Sequence, residues 1–432
     1  MEFPRAMSRT SRVISLFLFL SILLPASFAS GLSLDEAIAL AQKNFPNYQA
    51  SLKKVSSTEA LYKASLSPYL PSVDGTATED QHHASAATYN TYNYKIAMSY
   101  TLFDGGKRSA NRKIAGANLD VDKEETRKTL IELSYNVKSA FFSAVAQSDM
   151  LAQRKMQLQY AEKDHEVAKG RNKLGQVKRS DVLQALVRLE QARFNIIQAE
   201  GDLRKALAEL NSLMGCSLQT PQKLTDSLEE AILPPDEDRL LEAAQKRPEI
   251  VQAASAIDIA NENRSLARSA FYPLISVSGS HEKSDSGIYR ISYPEEEIVG
   301  VSANWNLFEW GKFYKVAAAR YDIDAAELRL QEAKRKVLLD LEKAKDDFLT
   351  SSEKLRAADQ QLEYADHNYR QAFGEYKAGK GDILSLVQAE SLLADAKGQQ
   401  IDAKLSVIAA KVQWEKTAGL LVDAARQELV RN

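Results

Sequence analysis

The chain has 432 residues, a formal net charge of −2, 44% hydrophobic residues and 26% charged residues. That balance excludes wholesale disorder, and it lacks the basic excess that a nucleic-acid partner would require. The length would suit two or three globular domains, but all 11 prolines lie within positions 4–294, with none between Pro71 and Pro221 or beyond Pro294. Two proline-free stretches of roughly 140–150 residues predict long helices, which proline would kink or end.

In chain order, the first segment reads as a secretory leader. Arg5, Arg9 and Arg12 form a basic start, residues 13–24 an apolar run, and Ser27-Phe28-Ala29 a small-x-small cleavage pattern. Twelve residues at helical rise span about 18 Å, short of a membrane core of about 30 Å, so a cleaved signal over 1–29 is expected rather than an anchor. Losing Glu2 and the three arginines takes the formal charge from −2 to −4. Cys216 is the only cysteine, so no intrachain disulfide forms and no lipid-carrying Cys follows the cut. No later run of 18 apolar residues suggests a membrane-crossing helix.

The remainder is expected to be a tandem duplication, 30–232 and 233–432. Ala41-Gln42-Lys43 with Pro46 reappears as Ala244-Gln245-Lys246 with Pro248; Leu102-Phe103-Asp104-Gly105-Gly106-Lys107 as Leu307-Phe308-Glu309-Trp310-Gly311-Lys312; Gly175 with Gln184-Ala185 as Gly379 with Gln388-Ala389. The offsets stay between 202 and 205. Each unit predicts a helix (33–66 and 236–270), with Leu34, Ala37, Ile38 and Ala41 on one face of the first. A proline break and two strands follow (71–80 with 92–104, and 273–283 with 297–309), then a very long helix (106–170 and 312–376), a glycine turn and a second helix (180–214 and 383–420).

The strand signal is a period of two. Tyr92, Tyr94, Ile96, Met98, Tyr100 and Leu102 alternate with small or polar residues, as do Val299, Val301, Ala303, Trp305 and Leu307. Alternation alone fits a half-buried soluble sheet or a membrane barrel with a wet lumen, and base rates favour the former. The secretory leader, aromatic residues at the strand ends (Tyr89, Tyr92, Tyr100, Phe103, Trp305, Phe308, Trp310) and polar loops over 81–91 and 284–296 shift the balance toward the barrel. Four strands cannot close one, and lipid tolerates no open edge, so a membrane reading requires several chains.

The long helices carry heptads. Leu341, Phe348, Leu355, Leu362, Tyr369 and Tyr376 recur every seven residues, beside a smaller line of Val337, Ala344, Ser351, Ala358, Ala365 and Ala372. Leu130, Val137, Ala144, Leu151 and Leu158 repeat the pattern in the first unit. About 65 residues make a helix of nearly 100 Å, a length suited to bridging compartments and one that leaves no conventional globular core.

The duplicated helix–strand–strand–helix–helix unit, with its Leu-Phe-Asp/Glu-x-Gly-Lys strand exit and its Gly turn before Gln-Ala, resembles the TolC-like outer-membrane efflux family over essentially the whole mature chain. The resemblance implies a mainly α fold with a small membrane β part. Three chains would make a homotrimeric 12-stranded barrel in outer-membrane lipid, four strands each, continued by a 12-helix periplasmic tunnel. It also implies a periplasmic adaptor and an inner-membrane pump as partners. Adaptor contacts would fall on the hairpin tips, Leu174-Gly175-Gln176 and Ala378-Gly379-Lys380. The family's tunnel is latched by a Tyr–Asp–Arg network and narrowed by Asp rings. Tyr376 and Asp181 match the first two; Gly381 stands at the Arg position, and Ser385 and Gln388 at the ring positions. Asp382, nearby, would supply a substitute ring, so an altered constriction is expected.

No nucleophile elbow, phosphate loop or paired-carboxylate constellation appears, so no enzyme, cofactor or metal is expected. His82, His83 and His281 read as polar loop residues, His165 and His367 as solvated or seam residues, and Asp120, Asp122, Glu124 and Glu125 as a solvated acidic face; Lys334-Arg335-Lys336 is a short charge run. The function expected is a passive exit duct of a tripartite efflux or type I secretion system. The rivals are a coiled-coil spacer or stalk and a periplasmic adaptor. A stalk leaves the alternating strands unexplained, and an adaptor would carry one hairpin rather than two.

Overall fold

The structure, a computed structural model, describes residues 31–84, 87–232, 235–286 and 295–420; the leader expected over 1–29 lies outside them. Helix α1 (Leu34–Asn44) starts at Ser33, whose hydroxyl accepts from the Glu36 N–H at 3.4 Å while Glu36 accepts from the Ser33 N–H at 3.1 Å. It stops at Phe45 because Pro46 disfavours helix at the residue before it, and Pro46 instead opens α2 (Pro46–Ala64). A single 3-10 turn at 67–69 leads into strands β1 (Ser72–Ala84) and β2 (Ala87–Phe103). Then come the long helix α3 (Lys107–Lys173) and its return α4 (Arg179–Leu213).

The second half repeats this order. After a short α5 (Leu228–Ala231), Asp236 caps α6 (Glu237–Ala244), and Pro248 opens α7 (Pro248–Ser269). Strands β3 (Leu274–Ser286) and β4 (Glu296–Asn304) precede α8 (Trp310–Lys377) and α9 (Ile383–Ala418).

The sequence expectation erred in two instructive ways. The helices expected over 33–66 and 236–270 are each two helices, split where Pro46 and Pro248 remove an N–H and restrict the preceding residue. The strands also run further into the polar hairpins than expected, because the ladder needs only backbone: His82 pairs Tyr89 and His83 pairs Thr88. At the other end, β4 stops at Asn304 rather than 309, since its partner β3 begins at Leu274, just after Pro273, and no ladder remains beyond that pair.

The four strands form one antiparallel sheet in chain order. Its register separates the two faces. Val73, Met98, Gly279 and Val299 form one row and Tyr100, Val277 and Val301 the next, while Ser72, Ser99, Ser278 and Gly300, then Thr76, Lys95, Glu282 and Glu296, make rows on the opposite face. The apolar face is bare: Val73 is 66% exposed, Ile96 62%, Val299 84% and Val301 72%. β1 and β4 are open edges.

Among the helices, α3 packs along α4, α2 and α7, α8 along α7 and α9, and α3 also meets α9, so two hairpins lie side by side. The expected heptad lines of α3 and α8 are buried or half-buried throughout. α4 places Ala185, Ala192, Ala199 and Ala206 at seven-residue spacing, all buried, which lets it approach α3 closely. Apolar burial is strung along the molecule. One cluster gathers Ala37, Leu130, Val137, Phe141, Leu210 and Ile408; a second gathers Leu240, Leu341, Phe348 and Trp414; a third, at the far end, gathers Tyr369, Tyr376, Leu386 and Leu393.

Cations fix the junction between sheet and helices. Arg108 pairs with Asp104 at 3.1 Å and donates to the carbonyls of Pro68, Thr101 and Leu102, while Lys312 donates to the Asn306 carbonyl at 2.9 Å. Gly105, at φ +67°, passes so close to Ser269 that a Cβ would sit 2.8 Å from its carbonyl oxygen, so no side chain fits there. Nor is the acidic stretch of α3 simply a solvated face: Asp122 accepts from buried Thr58, and Glu125 from Gln252.

Candidate functional site at the hairpin tips

Both hairpins turn by the same backbone device. At the first tip Gln176 N–H reaches the Arg171 carbonyl at 3.0 Å and Gly175 N–H that of Asn172 at 3.0 Å; at the second, Lys380 N–H reaches Glu375 at 2.9 Å and Gly379 N–H reaches Tyr376 at 3.1 Å. These nested bonds close a helix end only if the residue after the cap is left-handed, and Gly175 and Gly379 have φ of +70° and +77°. The turns leave Leu174, Gly175 and Gln176, and Ala378, Gly379 and Lys380, exposed at the extreme end of the molecule.

Behind the second tip, Tyr376 is buried to 1% exposure. Arg171, from the end of α3, lies over its ring with the guanidinium carbon 4.7 Å from the centroid and donates to the Tyr376 carbonyl at 2.9 Å. One guanidinium therefore ties the tip of the first hairpin to that of the second. Burial pushes the Tyr376 hydroxyl above the ordinary tyrosine range, Arg171 opposes that, and Asp181 adds to it. The hydroxyl itself meets no hydrogen-bond partner among the described residues. Asp181, half-buried in the first turn of α4, instead accepts from the Ser180 hydroxyl at 3.1 Å. Tyr376 and Asp181 thus come within electrostatic reach without bonding.

Gly381 sits tightly: a Cβ there would stand 3.2 Å from both Glu375 Cβ and the Tyr376 nitrogen, so a larger residue would require that backbone to give by a few tenths of an ångström. The guanidinium that reaches Tyr376 is that of Arg171. Sequence reasoning missed it, and no local spacing could have found it, because its partner lies 205 residues away. Asp382 is the N-cap of α9, its carboxylate accepting from the Ser385 N–H at 2.7 Å. That bond holds the Asp382 carboxyl below its usual range and keeps it ionised on an exposed turn. Ser385 and Gln388 are exposed on α9.

The histidines do not converge on one place. His82 meets Thr91 at 3.0 Å, His83 meets Thr88 at 3.0 Å, and His281 lies 3.6 Å from Glu297. No described helix is long and apolar enough to cross a membrane. The sheet is polar on one face and bare apolar on the other, as membrane strands with a wet lumen are, and it continues into helices of about 100 Å.

Comparison with known proteins agrees. A sequence model described as "Outer membrane efflux protein" matches residues 37–216 and 240–420. Protein CyaE of Bordetella pertussis is 26% identical over 422 residues, covering 94% of this chain and 86% of that protein. Alkaline protease secretion protein AprF of Pseudomonas aeruginosa is 26% identical over 435 residues, covering 95% and 89%. The open state of the MtrE outer membrane channel of Neisseria gonorrhoeae superposes with a TM-score of 0.76 at 20% identity, covering 89% of this chain and 88% of that one. The chain belongs to the outer membrane efflux protein family. It is an outer-membrane export channel whose helices extend into the periplasm.

Proposed function

We propose that three copies of this chain form a closed duct through the outer membrane, and that it acts as a passive exit for cargo driven by an inner-membrane pump through a periplasmic adaptor. The observation that carries this reading is the four-stranded sheet with a bare apolar face and two unpaired edges. Lipid offers no partner to edge N–H and C=O groups, so β4 of one copy must pair with β1 of the next until the ring closes. A stalk would expose the same apolar face to water.

The finer assignments follow from this. The leader over 1–29 is cut in a secreted precursor. Leu174, Gly175, Gln176, Ala378, Gly379 and Lys380 meet the adaptor. The constriction lies at Tyr376, Asp181 and Asp382, with Ser385 and Gln388 on the same stretch of α9, and the Arg171 contact holds the resting tips together. Three copies of Asp382 present a ring of carboxylates favouring cations. The chain performs no chemistry of its own, and its role in either efflux or protein secretion draws on relatives such as the alkaline protease secretion protein.

Native mass spectrometry of the detergent-purified protein tests the assembly: a mass of three chains is expected, and a monodisperse monomer would overturn the reading. Asp382→Asn isolates the charge, because Asn preserves the helix cap whereas Ala would remove both. Cation selectivity in a planar bilayer falls in Asp382→Asn if the ring forms there, and stays unchanged if the constriction lies elsewhere.

A further inference from the structure

Behind the tips lies a buried polar layer that the duct reading does not use. Asp164 of α3 is 5% exposed, and neither of its carboxylate oxygens meets a hydrogen-bond partner among the described residues. It lies between Tyr160 and Val167, which pack on the apolar cluster of α8 and α9, and the Tyr160 ring stands 5.4 Å from that of Tyr369. Glu390 of α9, 4% exposed, faces Arg188 of α4 at 3.6 Å. Gln153, one α3 face further along, donates to the Ala394 carbonyl at 3.5 Å and leaves its own side-chain oxygen unpartnered. Two carboxyls are thus buried where the hairpins α3/α4 and α8/α9 meet, with the half-exposed Arg188 guanidinium against one of them. Unpaired buried charge is costly, so this layer is stable only if a proton resides there.

We propose that Asp164 and Glu390 form a proton-operated clamp between the two hairpins: with Asp164 neutral the hairpins stay packed, and with Asp164 ionised the layer hydrates and they part. The groups facing Asp164 are Glu390 on α9, Arg188 on α4, Tyr369 and Tyr376 on α8, and Lys163 and Tyr160 on α3 itself, with Lys397 of α9 over the Tyr160 ring at 5.5 Å. Burial, then the Glu390 charge, pushes the Asp164 carboxyl up to about 7, against the pull of Arg188 and Lys163. Burial also pushes Glu390 and Tyr369 upward. A hydrated Asp164 would release its proton near 3.8, so the clamp is fully present below that value, weakens as pH rises, and is lost above about 7. Because Asp164 also acts on Tyr376, the same proton bears on the tips. That functional consequence rests on the export-duct reading; the hairpin clamp does not.

Hydrogen exchange of the purified full-length protein in detergent tests the clamp directly, whether or not the protein conducts. Peptides around Asp164 and Glu390 should exchange up to roughly tenfold faster between about pH 6 and pH 8 than base catalysis alone requires, with peptides of the sheet as internal reference. Asp164→Asn should remove that excess. Glu390→Gln should move its midpoint to lower pH, and Arg188→Met should move it higher, a pair of opposite shifts that a merely structural role would not produce. An excess that persists in Asp164→Asn, no excess in the unaltered protein, or midpoints unmoved by both neighbours would overturn the proposal.

Discussion

The two hairpin tips share a backbone turn, and Lys173 matches Lys377 beside it, but the side chains that pack behind the turn differ. Their turns use the same pair of nested hydrogen bonds and the same left-handed glycine. Yet at the position where the second tip buries Tyr376, the first has Asn172, which simply donates to its own turn at the Val177 carbonyl, 2.8 Å away. Where the first tip projects Arg171 across to its neighbour, the second has Glu375. Asp382 caps α9, whereas Lys178 begins α4 without any side-chain cap. The turn geometry sets where a hairpin ends, while side chains decide whether that end packs against its neighbour or stays a plain loop. The second tip is a packed core in miniature that borrows its cation from the first.

Truncation should break this asymmetry most severely at its centre. Tyr376→Ala empties a fully buried site and is expected to cost about 3–5 kcal/mol locally, seen as faster hydrogen exchange over the ends of α8 and α9, while Asn172→Ala at the matching position of the first tip should cost about 1 kcal/mol. Equal effects would mean that the tips are energetically alike. Arg171→Ala comes next, at about 1–2 kcal/mol, because it removes the ring contact and the bond to the Tyr376 carbonyl. Its signature is joint: both tips should loosen together, and loosening of the first alone would contradict the tie.

Asp382→Ala should loosen only the first turn of α9, by less than Arg171→Ala loosens the tips, and Asp382→Asn should restore that turn. Smallest of all, Tyr376→Phe should stay within about 0.5 kcal/mol, since the hydroxyl it deletes meets no hydrogen-bond partner among the described residues. A large loss there would show that the hydroxyl is bonded within the tip after all.

How legible all this was in the sequence follows from the range of each interaction. Heptads, alternating strands and the turn glycines depend on neighbours within one element, and the periodicity of Leu341 to Tyr376 or Tyr92 to Leu102 carried them. The breaks at Pro46 and Pro248 were visible too, but the surrounding apolar pattern was read straight through them. Which way the sheet faces was not decidable from alternation; it needed the register that aligns Met98 with Gly279 and Val299 and leaves that face bare. Arg171 with Tyr376, and Arg188 with Glu390, are each about two hundred residues apart, so nothing local announces them. The resemblance pointed to Tyr376 and Asp181 but placed the missing guanidinium at 381, where a side chain would press on the Glu375–Tyr376 backbone.

The most direct test of the central claim is single-channel conductance in a planar bilayer, comparing the unaltered protein with Arg171→Ala. A closed duct latched at its periplasmic end predicts discrete steps of small conductance in the first and markedly larger steps in the second. Identical conductance would remove the latch from the tips, and no steps from a correctly assembled Arg171→Ala oligomer would contradict the duct itself.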